Sequence, residues 1–205
     1  MAIGDKTSTY NMSFTVGALL QQPSVLFAEL YSTLGDWQAV RAKVLEGNLL
    51  QARTQNTAHR ICREVIARLK PLSADQLAIL VGGSAKDQAH VLWAAICKRH
   101  RFIHDFAVEV IHEKFLTLDP NLVYADYDIF FNHKAEWHEE LVNIQPSTRA
   151  KLRQIVFRML REAELLSRRN RILPVLLSPA VEKSVMDDPT LSLSIFPAET
   201  GRTSP

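Results

Sequence analysis

The stretch "TQNTAHRICREVIARL" places Asn56, His59, Arg60 and Arg63 at spacing i, i+3, i+4, i+7. At about 100° per residue these fall on one stripe of a helix. Ile61, Cys62, Val65 and Leu69 fall on the opposite, core-facing side. Arg53 stands just upstream. Guanidinium groups grip phosphate or the guanine edge, and a carboxamide can read adenine, so this stripe has the chemistry of nucleic-acid contact rather than of a reaction.

A second stretch, "PSTRAKLRQIVFRMLREAELLSRRNRI", carries Arg149, Lys151, Arg153, Arg158 and Arg161, then Arg168, Arg169 and Arg171. Leu152, Ile155, Val156 and Met159 form its apolar face, with Ser147 or Thr148 expected as the cap. Arg149 and Arg153 flank one edge of that face and Lys151 and Arg158 the other, so the cations ring the core instead of forming one stripe. Phe157 is expected to point away from the core centre, where a wing strand or a partner would cover it. The two helices align at an offset of 91 residues, Thr57 with Thr148, Arg60 with Lys151, Ile61 with Leu152 and Val65 with Val156. This reads as duplication or as two amphipathic helices obeying one rule.

Formal net charge is only +2, so the whole chain does not advertise a polyanion partner. The total hides segregation. The two basic segments bracket an acidic one, in which Asp119, Asp126, Asp128, Glu136, Glu139 and Glu140 face Lys134 alone. Duplex DNA suits the basic segments, and a basic protein partner suits the acidic one.

Other chemistries fit less well. His100 and His104 share a helix face with His112 further along, and His133 and His138 are five apart, but no cysteine pair or His-Glu-x-x-His joins them. Asp126 and Asp128 have the types for magnesium, yet sit where a helix start is capped or solvated. Glu113-Lys114 lies in helical periodicity, not on the strand a nuclease core needs. "VGGSAK" lacks phosphate-loop spacing. No catalytic set, metal or cofactor is expected, and the reading is non-enzymatic.

The elements that must position these residues are helices. "PSVLFAELYSTLGD" is expected to bury Val25, Leu26, Leu30 and Leu34, and "DWQAVRAKVLEGN" to start at an Asp36 cap. A helix follows over about 55–69, a short one opens at Ser73, and "SAKDQAHVLWAAICKRHRFIHDFAVEVIHEKFL" is one helix or two broken near Arg101. Leu118 to Asn121 is a turn, and "YADYDIFFNHKAEWHEEL" gives two short helices. "RILPVLLS" and "LSLSIF" read as strands. The fold class is therefore mainly α, a helical bundle with helix-turn-helix-like units and a small C-terminal β element completing a winged-helix order. The expected division is a flexible leader at 1–12, an N-terminal helical domain at 13–117, a winged-helix-like domain at 118–198 and a tail at 199–205. The two cysteines, Cys62 and Cys97, look like buried hydrophobes of a reducing cytoplasm. No apolar run approaches the ~20 residues of a membrane span, and no signal peptide is read.

The phrases "SFTVGALL", "LLQARTQ", "LWAAICKRHRFIHDFAVEVI" and "FRMLREAELL", in this order over roughly residues 12 to 197, resemble the BrxA family of BREX phage-defence systems. The resemblance implies a NusB-like helical fold and a small non-enzymatic component that binds DNA beside other BREX proteins. It supplies no catalytic motif. An adaptor between proteins, or an RNA-binding protein of NusB-like type, are the rival readings it leaves open.

Overall fold

A computed structural model describes residues 9–198. The expected tail at 199–205 and most of the expected leader lie outside the described residues. The chain is mainly helical, as its periodicity requires. In order it forms α1 (Gln21–Leu34), α2 (Trp37–Glu46), α3 (Gln55–Leu69), α4 (Ala74–Gly82), α5 (Ala85–Arg99), α6 (Arg101–Phe106), a π-helical segment (Ala107–His112), α7 (Glu113–Leu116), α8 (Tyr124–Ala135), α9 (Glu139–Val142), α10 (Pro146–Glu162) and α11 (Pro179–Met186).

Short polar side chains start several of these. Asp36, Thr54, Ser73, Ser84 and Ser178 each accept from a backbone N–H of the first turn, and Gln76 and Asp87 close capping boxes on α4 and α5. α1 stops at Gly35, whose φ of 67° lets its N–H return to the Tyr31 carbonyl. α10 starts differently from expectation. Gln145 is its N-cap without a side-chain bond, and Pro146 occupies the first turn, where a missing N–H costs nothing.

α5 is the axis of the molecule. Every residue from Ala89 to Cys97 is buried, as a helix enclosed on all sides must be. α1, α3, α4, α10 and α11 all pack on it. The long helical run after it breaks at His100, whose backbone is extended (φ −120°, ψ 92°). Phe102 and Phe106 then build an aromatic centre with Tyr127 and Phe130, the rings meeting edge to face at 5.2–5.8 Å between centroids.

Burial corrects several expected faces. α1 turns Ser24, Phe27 and Ala28 inward, while Leu34 is exposed. Phe157 is fully buried, covered by Tyr124 of α8 at 4.8 Å. Tyr10, inside the stretch expected to be loose, is buried; its hydroxyl donates to Asp105 at 2.7 Å and its backbone N–H to Glu140 at 2.6 Å. Residues 9–20 thus form a strap across the bundle, with Phe14 and Leu19 fully buried. One core cluster runs from Tyr10 to Ala198 and is continuous across the 117/118 boundary.

The expected wing does not form as a sheet among the described residues. "RILPVLLS" is extended but contributes only isolated bridges, Asn121 with Arg171 and Leu166 with Ile172, and "LSLSIF" coils into a 3-10 turn at Leu193–Ile195. Nor does a period of two hold, because the buried side chains, Ile172 and Val175, stand three apart, with Leu173 and Leu176 exposed. Their backbone partners are loops instead of a neighbouring strand: Pro120 for Ile172 and Pro197 for Val175.

Candidate nucleic-acid interface

α3 owes its two-sidedness to its inner residues. Cys62, Val65 and Leu69 are buried, and so are two charged groups, Glu64 and Arg68. Arg68 Nε donates to Glu64 Oε1 at 2.8 Å, and its Nη1 donates to the carbonyl of Ala18 at 2.7 Å. The pair therefore fixes the strap to α3. Burial pushes the Glu64 carboxyl up, but the His100 imidazole 3.7 Å away and the Arg68 guanidinium push it down further, to about 2.

With that face fixed, Asn56, His59, Arg60 and Arg63 all lie exposed on the other, and Arg53 is exposed in the turn before it. α2 packs alongside. Between them runs a groove of about 430 Å³ lined by Arg41 from α2, by Asn56, His59, Arg60 and Arg63, and by Lys70 at the end of α3. No carboxylate lines it. Arg41 Nη2 stands 3.4 Å from His59 Nδ1, which ties the two helices at the groove edge. Sequence reasoning found four of these six side chains. Lys70 was findable, since it stands i+7 from Arg63, whereas Arg41 is brought in only by packing. The α2–α3 connection spans 47–54, longer than the 3–4-residue turn of a helix-turn-helix unit.

α10 divides its cations. Arg149 donates from Nε to Asp128 at 3.1 Å and from Nη1 to Asn132 at 2.7 Å, and its guanidinium centre lies 4.3 Å from the Phe131 ring centroid. Arg153 also donates to Asp128 and lies 4.5 Å from the Tyr124 centroid. Both are half-buried fasteners of α10 to α8. Lys151 and Arg158 are exposed, Arg158 pairing with Glu162 one turn on at 2.7 Å. Arg168, Arg169 and Arg171 are exposed on a tight turn after the helix. The 91-residue offset also relates the N-caps of the two helices, Thr54 and Gln145.

Two of the carboxylates weighed for metal chemistry are engaged within the fold. Asp126 accepts from the Val123 N–H at 2.7 Å, capping α8, and Asp128 is taken up by arginines. Among the described residues no group of three His, Cys, Asp or Glu is placed to hold a metal, and no helix is long and apolar enough to cross a membrane.

Fold and groove together define a mainly α-helical protein that carries an exposed basic groove between α2 and α3, with no carboxylate among the residues lining it. The family model described as BrxA matches residues 8–188, and the chain belongs to that family. It is 26% identical over 168 residues to "BREX protein BrxA" of Escherichia coli O9:H4 (strain HS), covering 81% of this chain and 79% of that one. It is 31% identical over 124 residues to "BREX protein BrxA" of Bacillus cereus (strain H3081.97), covering 60% of this chain and 62% of that relative's length. A solved structure, an uncharacterized protein from Magnetospirillum magneticum, shares the fold with a TM-score of 0.76 at 22% identity, over 88% of this chain and 93% of that one.

Proposed function

We propose that this chain is a non-enzymatic DNA-binding accessory component of a BREX phage-defence system, acting in the cytoplasm beside other BREX proteins. Family membership supports the system. The observation that carries the DNA reading is the α2–α3 groove, where Arg41, Arg60, Arg63 and Lys70 converge with no carboxylate to neutralise them. A groove of one charge sign concentrates polyanions by field alone. Arg53, Asn56 and His59 extend the same surface, and Lys151 and Arg158 supply a second, thinner contact. Arg149 and Arg153 drop out because Asp128 holds them. Arg168, Arg169 and Arg171 lie on a separate turn after α10, and this reading does not require them.

Contacts of this kind go mainly to phosphate, so binding is strongly salt-dependent and weakly sequence-specific. The test is anisotropy of labelled duplex DNA, single-stranded DNA and RNA across a salt series. Duplex binding is expected, with the double substitution Arg60→Glu, Arg63→Glu weakening it by about ten-fold or more and reducing the salt slope by about 2. Asn56→Ala is expected to change affinity for unrelated sequences by less than about two-fold. Preference for RNA over duplex would favour the NusB-like rival, and absence of salt-sensitive binding would remove the proposal.

A further inference from the structure

α7 ends in a left-handed turn of the kind usually given to glycine. Leu118 N–H donates to Phe115 O at 3.2 Å and Asp119 N–H to Lys114 O at 2.9 Å, with Leu118 at φ 57°. Its side chain is 87% exposed. A leucine here carries a backbone penalty, and its solvated side chain returns little within this chain.

Leu118 lines a groove of about 390 Å³ with Phe115, Pro120, Ile172, Leu173 and Arg171. Leu116, the last residue of α7, and Leu176, three residues after Leu173, are exposed as well. An exposed groove lined by apolar side chains marks an association site. The turn beside it is closed by hydrogen bonds. Ser167 N–H donates to Arg171 O at 2.8 Å, and Arg161 Nη2 anchors Asn170 Oδ1 at 2.6 Å. That turn presents Arg168, Arg169 and Arg171, none of which makes an ion pair among the described residues. Lys114, which also lines the groove, is already neutralised by Asp119 at 2.6 Å and Asp126 at 3.4 Å.

We propose that this groove docks an acidic segment of a partner protein, whose apolar side chains cover Leu118 and Leu173 and whose carboxylates meet Arg168, Arg169 and Arg171. Charge and apolarity select the occupant together. Duplex DNA satisfies the arginines but leaves the leucines wet. A neutral apolar segment covers the leucines but leaves three cations unanswered at its edge. An acidic segment with leucine anchors satisfies both. The site lies on other elements than the α2–α3 groove and does not depend on DNA binding there.

The probe is a labelled synthetic peptide of alternating leucine and aspartate, with a serine-for-leucine peptide as control. Saturable binding is expected for the first and not the second. Leu118→Gly suits the turn and preserves the fold, yet is expected to weaken binding by about ten-fold, as loss of a central anchor does. Arg168→Glu with Arg169→Glu is expected to weaken it as much. Arg60→Glu with Arg63→Glu should leave the peptide bound, so failure here and failure of the DNA reading are separable. The proposal is overturned by absence of saturable binding, by equal binding to Leu118→Gly, by displacement with short duplex DNA, or by self-association in sedimentation that Leu118→Gly abolishes.

Discussion

Arg149 Nε lies 3.1 Å from Asp128 Oδ1, and that contact joins α10 to α8. The most basic stretch of the sequence therefore directs part of its charge inward. α3, less basic by count, keeps all of its stripe for solvent, because its one inward guanidinium, Arg68, is paired with Glu64 on the same helix.

Asp128 is thus expected to matter for stability and not for nucleic acid. Asp128→Ala leaves both Arg149 and Arg153 half-buried and unpaired. The cost should be about 2 kcal/mol, read as a lower denaturant midpoint, with duplex affinity unchanged. Weakened DNA binding with unaltered stability would show that the arginines face outward in function.

Glu64 gives a pH signature. Its folded carboxyl titrates at about 2, below the 4.5 of an ordinary glutamate. The unfolded chain therefore binds this proton first on acidification. The stabilisation it provides is complete above about pH 4.5 and declines as pH falls toward 2. Urea melts over that range should show wild type losing stability faster than Glu64→Gln, which starts lower because Arg68 is left without its counter-charge. Parallel pH curves for the two proteins would refute the assignment.

Two tyrosines should resist alkali. Burial, together with the hydrogen bond to Asp105, drives the Tyr10 phenol far up, and burial likewise raises Tyr127. In an ultraviolet titration both should stay protonated until the fold gives way. Tyr10→Phe should remove one of these late ionisations and lower stability by about 1 kcal/mol through loss of the bond to Asp105.

Much of this was legible in the residues. Helix boundaries followed from local chemistry: Asp36 and Ser73 start helices, Gly35 ends one, and the break near Arg101 falls one residue earlier at His100. The exposed stripe of α3 was legible too, because a helix presents i, i+3, i+4, i+7 together whatever it packs on. What escaped depended on distant partners. Arg149 is separated from Asp128 by 21 residues, and Arg68 from Ala18 by 50. A guanidinium carries no local mark of whether a carboxylate will reach it. The cover of Phe157 escaped for the same reason, since Tyr124 of α8 supplies it in place of a wing strand or partner. The wing failed because a short apolar run fixes neither its period nor its backbone partner: the buried positions are Ile172 and Val175, three apart, and the carbonyls of Pro120 and Pro197 take their N–H groups in place of a strand.

The strap has a consequence for how the molecule is made. Tyr10 is bonded to Glu140, and the Leu19 N–H to Glu162, across separations of 130 and 143 residues. A nascent chain emerges N-terminus first, so Phe14 and Leu19 leave the ribosome roughly ten seconds or more before Glu162 exists to receive them. Residues 9–20 are therefore among the last to find their seats. Assembly of the native state waits for translation to pass α10, and the interval leaves an apolar segment in need of shelter.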